Sequence, residues 1–143
     1  DNTDIIFIAH DSKAYEVTEE QFFSRGSSGG TIVSSAYEMV DDIIKRRYHP
    51  SAWNIYLFQC SDGDNWSTDN DKVANFLNQL KHICQFIGYC EVEPHDERIK
   101  WSHDPTTLHE VFESLADTNL KHVKIQDKVD IWPAFKKFFG GVS

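Results

Sequence analysis

The chain has 143 residues, of which 40% are hydrophobic and 13% aromatic, enough to build one domain around a single core. Its 14 basic and 23 acidic residues give a formal net charge of -9, which disfavours nucleic acid and anionic membrane surfaces as partners and favours a divalent cation or a basic protein surface. No apolar run approaches the ~20 residues that a membrane span needs.

The first part of the chain predicts a hairpin, a glycine-rich loop and a helix. Residues 4–10 form an uninterrupted apolar run, typical of a strand covered on both faces, and residues 14–17 alternate as an edge strand does. A capping box at Thr18 and Gln21 opens a short helix. The loop 24–31 then leads into an amphipathic helix that ends before Pro50.

The rest of the chain alternates strand and helix patterns, which predicts right-handed crossovers and parallel strand pairing. The fold class is therefore α/β: three layers, with a mostly parallel sheet between helices on both faces and one antiparallel edge hairpin. No linker divides the chain, so residues 1–143 form one domain. The predicted strands are 54–60, 86–92 and 121–125, and the predicted helices are 67–84, 107–115 and 130–139. The last helix contains Phe135, Phe138 and Phe139, which either pack on the sheet or form an exposed contact patch.

Two polar loops follow strands and precede helices, the arrangement in which α/β sheets bind ligands. One ends in Gly29, Gly30 and Thr31, and the other runs from Ser61 to Asn65 with Asp62 and Asp64 inside it. A hydroxyl and carboxylates at one sheet edge make an oxygen-only site that suits Mg²⁺ or Mn²⁺. The same residues also suit a plain tight turn and a helix-initiating loop, so both interpretations stay open.

Gly29-Gly30-Thr31 before an amphipathic helix, and an apolar strand ending in Ser61-Asp62-Gly63, together resemble the second and third motifs of a von Willebrand factor A domain. The resemblance implies a metal-ion-dependent adhesion site to which Thr31 and Asp62 contribute. It also implies a surrounding interaction surface, to which we assign Ser61, Asp64, Asn65 and Trp66.

The sequences of residues 7–10, 16–20, 22–37 and 61–66 are similar to one bacterial branch, the YhbH/YeaH family. That resemblance covers nearly the whole chain. It implies a cytoplasmic protein linked to stress response and sporulation, and a protein partner, with a stress-associated serine kinase as one candidate.

The family's Asp-x-Ser-x-Ser motif, which supplies the strongest metal ligands, does not occur in this sequence. The resemblance implies that it belongs to a strand upstream of Asp1, between the strands at 4–10 and 54–60. We therefore expect Thr31 and Asp62 to bind metal weakly in this chain, with no tightly held ion. We also expect the two bare strand edges to promote association with another chain, including a second copy.

Three functions are weighed. The first is a non-enzymatic interaction module that presents a cation to a partner's carboxylate. The second is an Mg²⁺-dependent phosphoryl-transfer or hydrolytic enzyme using Asp62 and Asp64, although no phosphate-cradling G-x-x-x-x-G-K loop is present. The third is a metal-free scaffold.

Other chemistry-bearing residues have plainer interpretations. Cys60, Cys84 and Cys90 cannot all pair within the chain and fit reduced thiols of a cytoplasmic protein. His95 and His103 do not have the sequence spacing of zinc-binding motifs, so their segment is better interpreted as a solvated acidic loop. A catalytic pair of Cys60 with His10 is less favoured than packing in or beside the core.

Overall fold

A computed structural model describes residues 2–24, 32–93 and 108–140. Strands and helices occur in the order expected from the sequence, with a short 3₁₀ turn before the last helix. The elements are β1 (Phe7–His10), β2 (Ala14–Val17), α1 (Glu19–Ser24), α2 (Val33–Arg47), β3 (Tyr56–Ser61), α3 (Ser67–Ile83), β4 (Phe86–Val92), α4 (Leu108–Leu115), β5 (Leu120–Ile125), the turn Lys128–Asp130 and α5 (Ile131–Phe139).

The strands form two sheets. β1 and β2 pair antiparallel as a hairpin, while β3, β4 and β5 form a parallel sheet with β4 in the centre. The parallel register sets Cys60 opposite Cys90 and Ile87 opposite Leu120. The described chain is thus a mixed α/β protein whose parallel strands all end at one edge.

The main core lies on one face of the parallel sheet. Ile87 and Tyr89 of β4 pack there with buried side chains of α2, α3 and α4. The Tyr89 ring stacks on Phe112 of α4 with centroids 4.0 Å apart, and both side chains are fully buried. Burying two large aromatic side chains removes much apolar surface from water and fixes α4 against the sheet. The other buried residues of this core are Val33, Tyr37, Ile44, Val73, Leu77, Leu80, Cys84, Leu108 and Leu120.

The opposite face of the parallel sheet is covered by α5, whose Ala134 packs with Cys90 and Val123. Phe138 joins this cluster, and its ring lies 6.3 Å from that of Phe58 on β3. Pro133 falls in the first turn of α5, as predicted. A backbone N–H at this position would have no partner within the helix, so proline costs no hydrogen bond there. Among the described residues, α2, α3 and α4 therefore contribute to the core that contains Tyr89, and α5 contributes to the cluster that contains Cys90.

β3 is not fully buried: Tyr56 is 61% and Phe58 47% exposed, because α5, which lies on that face, contacts β5 more than β3. Within the described ranges the hairpin forms a sheet of its own, since β1 pairs only with β2 and β3 only with β4.

Helix α2 links the two sheets through side chains. Arg47 at its end pairs with Glu16 of β2, with Nη1 lying 2.8 Å from the carboxylate. At the other sheet, the Tyr37 hydroxyl donates a hydrogen bond to the side-chain oxygen of Gln59 on β3. The position of the hairpin thus depends on α2 and not on strand pairing.

The capping box predicted for α1 is confirmed: the Gln21 N–H donates to Thr18 Oγ1, and the Thr18 N–H donates to Gln21 Oε1. Among the described helices, none combines the length and apolar composition that crossing a membrane requires.

Replacing Phe112 with alanine should lower the free energy of unfolding by about 3–5 kcal/mol, because the cavity would open against the stacked Tyr89 ring. Urea denaturation monitored by circular dichroism measures the change. Phe23→Ala is the matched control. Its ring is 74% exposed on α1, and the loss there should stay below about 1 kcal/mol. Equal losses for the two variants would contradict the core assignment.

Candidate functional site at the carboxyl edge of the parallel sheet

The turn after β3 is held by its own polar side chains. Ser61 Oγ accepts the N–H of Gly63 at 3.1 Å, and Asp62 Oδ1 accepts the N–H of Asp64, also at 3.1 Å. Gly63 has a φ of 87°, a left-handed conformation that glycine adopts without steric cost. A side chain at position 63 would also collide with the carboxylate of Glu91 on β4. The backbone conformation therefore favours glycine, and any other residue would also displace the Glu91 carboxylate.

The end of this turn is clamped to the start of α2. Asn65 Oδ1 accepts the backbone N–H of Val33 at 3.1 Å, which satisfies one of the free donors of the first helical turn. Asp69 accepts the Ser34 N–H at 2.9 Å on one oxygen and the Ser34 hydroxyl on the other. Both Ser34 and Asp69 are buried, with 7% of each exposed.

The same side chains also bond to each other. The Asn65 amide donates to Asp69 Oδ2 at 3.2 Å and to Asn70 Oδ1 at 2.9 Å. Carboxylate and amide oxygens near a helix N-terminus are further stabilised by the helix dipole. We refer to Asn65, Asp69, Asn70 and Ser34 as the clamp.

Residues 67–70 include serine, threonine, aspartate and asparagine, the residue types that cap helices, but they do not cap α3. The N-cap of α3 is Trp66, which forms no side-chain capping bond. Asp69 bonds to α2 instead, a contact between residues 35 positions apart in sequence. Capping residues can serve any nearby helix end, and only tertiary packing decides which one.

The end of β1 reaches the same region. The Ile32 N–H, just before α2, donates to the Asp11 carbonyl at 2.9 Å. Burial lowers the pKa of His10, while the charges of Asp11 and Asp62 oppose that change. His10 Nδ1 has no hydrogen-bond partner in the described part of the protein. The ends of β1 and β3 and the start of α2 therefore converge.

A buried carboxylate lies beneath the turn. Glu91 is 3% exposed, and its Oε1 accepts the Tyr89 hydroxyl at 3.1 Å. Lys124 Nζ lies 3.4 Å and His109 Nδ1 3.9 Å from Glu91 Oε2. A buried charge is tolerated when it is paired and hydrogen-bonded, so these contacts allow an acidic group to remain under Gly63.

The predicted site residues occupy this edge as follows. Asp62 and Asp64 are exposed, Ser61 and Asn65 are half-buried, and Trp66 is 63% exposed beside them. Partial burial, then the charge of Asp62, raises the pKa of Asp64. Thr31, Gly29 and Gly30 lie outside the described residues, as do His95 and His103.

The described residues contain no group of three or more histidine, cysteine or acidic side chains arranged to hold a metal ion. Asp62 and Asp64 together present two exposed carboxylates on a turn held by local hydrogen bonds. Such a pair suits one or two ligand positions on a hard cation whose remaining positions are filled by water or by other groups.

Sequence reasoning missed His10 as a neighbour of Asp62, and it missed Glu91 altogether. The signal for Glu91 was present: one charge near the end of the apolar run 86–92, at the carboxyl edge of a predicted strand. Cys60 lies opposite Cys90, on the sheet face that α5 partly covers, and His10 Nδ1 forms no hydrogen bond in the described residues.

Known proteins similar to this chain are bacterial. Residues 1–141 match the profile of a family described as "Protein of unknown function (DUF444)". The chain is 44% identical to a UPF0229 protein of Ruminiclostridium cellulolyticum over 99% of its length, covering 35% of that relative. It is 39% identical to a UPF0229 protein of Vibrio vulnificus (97% of the chain, 32% of the relative) and 38% identical to one of Bacillus cereus (97% and 34%).

The chain thus spans about a third of the length of the curated relatives that it matches. No solved structure matches it significantly.

Removing the Asp69 carboxylate should destabilise the protein by about 2–3 kcal/mol, because the Ser34 N–H and hydroxyl would lose a buried charged acceptor. Chemical denaturation of Asp69→Ala measures the loss, and amide exchange at Val33 and Ser34 should accelerate. Asp71→Ala, an exposed position on the same helix, is the control and should change stability by less than about 0.5 kcal/mol. Unchanged exchange at Ser34 in Asp69→Ala would refute the clamp.

Proposed function

Because the chain belongs to the DUF444 family, whose profile matches residues 1–141, we propose a function from the geometry of its carboxyl edge. The proposal is a non-enzymatic protein-interaction module of a bacterial, cytoplasmic protein. Its binding element is a partial metal-ion-dependent adhesion site of the von Willebrand factor A type, which presents Mg²⁺ or Mn²⁺ to a carboxylate of the partner.

One observation carries the proposal: the clamp ties the Asp62 turn to the start of α2. Asn65 is three residues after Asp62, and Val33 is two residues after Thr31, so the Asn65–Val33 hydrogen bond joins two positions that each follow a predicted motif closely in sequence. The turn after β3 and the start of α2 are thereby tied together, which supports a shared oxygen-ligand site at this edge.

The strand arrangement also supports a von Willebrand factor A-like domain. Within the described residues, β1 and β3 each pair with one strand only, and each ends near the Asp62 turn. A further strand between them, carrying the Asp-x-Ser-x-Ser loop, would bring its serines and aspartate to the same edge. In this proposal Thr31 and that loop bind the ion directly, and Asp62 binds it directly or through water.

The partner contacts the exposed rim of the site. Trp66 offers a large aromatic surface beside the cation, and Asp64 and Asn65 flank it. The resemblance to the YhbH/YeaH branch is the basis for proposing a stress-response or sporulation role, with a serine kinase as a candidate partner. Ion binding by the module would make partner binding sensitive to metal chelation.

Calorimetric titration tests the proposal on a polypeptide that carries this chain together with an upstream strand and its Asp-x-Ser-x-Ser loop. Mg²⁺ or Mn²⁺ should bind, and Asp62→Ala or Thr31→Val should weaken binding at least about tenfold, or ~1.4 kcal/mol. Asp42→Ala removes an equal charge from the exposed side of α2 and should leave the affinity unchanged.

Two results would contradict this proposal, and each would favour a different function. Absence of binding heat with the complete motif present would favour a metal-free scaffold. Hydrolysis of a phosphate ester that requires Mg²⁺ and is lost in Asp62→Ala would identify an enzyme.

A further inference from the structure

Two cysteines occupy neighbouring positions in the parallel sheet. Cys60 on β3 and Cys90 on β4 are register partners, so their side chains project from the same face of the sheet. Adjacent strands lie about 4.8 Å apart, within the Cα separation of roughly 4.4–6.8 Å that a disulfide spans. Cys84, the third cysteine, ends α3 in the other core.

The two thiols differ in access. Cys60 is exposed on β3, while Cys90 is buried with Val123 and Ala134. Burial, then the neighbouring Cys60 thiol, raises the pKa of Cys90 to about 11. Oxidants in solution therefore reach Cys60 first, and Cys90 is placed to react only with a group already on Cys60.

We propose that Cys60 and Cys90 form a reversible oxidation site. A hydroperoxide oxidises the two thiols to a disulfide that links β3 and β4. In the first step the Cys60 thiolate attacks a peroxide oxygen. An S–O bond forms, the O–O bond breaks, and hydroxide leaves (an alkoxide if the peroxide is organic) and takes up a proton. Cys60 is then a sulfenic acid, and the peroxide has been reduced.

In the second step the Cys90 sulfur attacks the Cys60 sulfur. The S–S bond forms, the S–O bond breaks, and hydroxide leaves and combines with the proton from the Cys90 thiol as water. The two thiols have lost two hydrogens in total, and a dithiol reductant restores them by exchange. The register of β3 and β4 places the two side chains next to each other for this step.

This site is separate from the proposed metal edge in chemistry but adjacent to it in the chain. Cys60 directly precedes Ser61, whose hydroxyl holds the Asp62 turn, and Cys90 directly precedes Glu91 beneath that turn. The disulfide would therefore link the two strands at the base of the turn. The oxidation proposal does not require that a metal bind there.

The test treats the purified chain with hydrogen peroxide and counts thiols after denaturation. The count should fall from three to one and return to three with dithiothreitol. Mass spectrometry of a non-reduced chymotryptic digest then identifies the linked peptides, because cleavage after Phe86 and Tyr89 separates Cys84 from Cys90. A Cys60–Cys90 link within one chain is the expected result.

Three variants check the order of the steps. Cys90→Ala should stop at a Cys60 sulfenic acid that dimedone labels, and Cys60→Ala should leave both remaining thiols reduced. Cys84→Ala should form the same disulfide as the wild type. Three results in the wild-type digest would overturn the proposal, and none of them depends on a variant. They are a link that involves Cys84, a disulfide found only between chains, and Cys60 found only as sulfinic acid.

Discussion

The buried carboxylate of Asp69 is the contact on which the arrangement of this protein depends. It accepts both the N–H and the hydroxyl of Ser34, so the first turn of α2 is fixed to the first turn of α3. The Asn65 amide completes the network and holds the Asp62 turn against the same helix end. Because Ser34 and Asp69 are shielded from water, a lost bond between them would leave a polar atom unsatisfied, which makes the geometry specific.

Helix α2 also contacts the hairpin and the parallel sheet, so fixing its first turn helps to position both. Its far end carries the Arg47–Glu16 ion pair with the hairpin, and Tyr37 in its middle bonds to Gln59 of the parallel sheet. The ion pair is exposed, so it adds little stability and serves mainly to orient the hairpin. Burial of Val33, Tyr37 and Ile44 supplies the main attraction that keeps α2 on the sheet.

The carboxyl edge of the parallel sheet contains both stabilising contacts and chemically reactive side chains. Glu91 is stabilised from below by Tyr89 and Lys124, and above it Gly63 leaves just enough space for a turn that presents Asp62 and Asp64 to solvent. Cys60 and Cys90 sit one residue inside that edge, on the opposite face from Tyr89. Binding at the turn and oxidation of the cysteine pair would therefore act on the same two strand ends.

The sequence by itself determined the order of the elements, three parallel strands close to the predicted ranges 54–60, 86–92 and 121–125, the capping box at Thr18 and the polar turn at Asp62, because periodicity and turn chemistry are local properties. Only the tertiary structure decided that Asp69 caps α2, that Glu91 lies under Gly63 and that the hairpin forms its own sheet. Those outcomes depend on which surfaces meet, and contacts between residues 35 positions apart leave no local pattern to recognise.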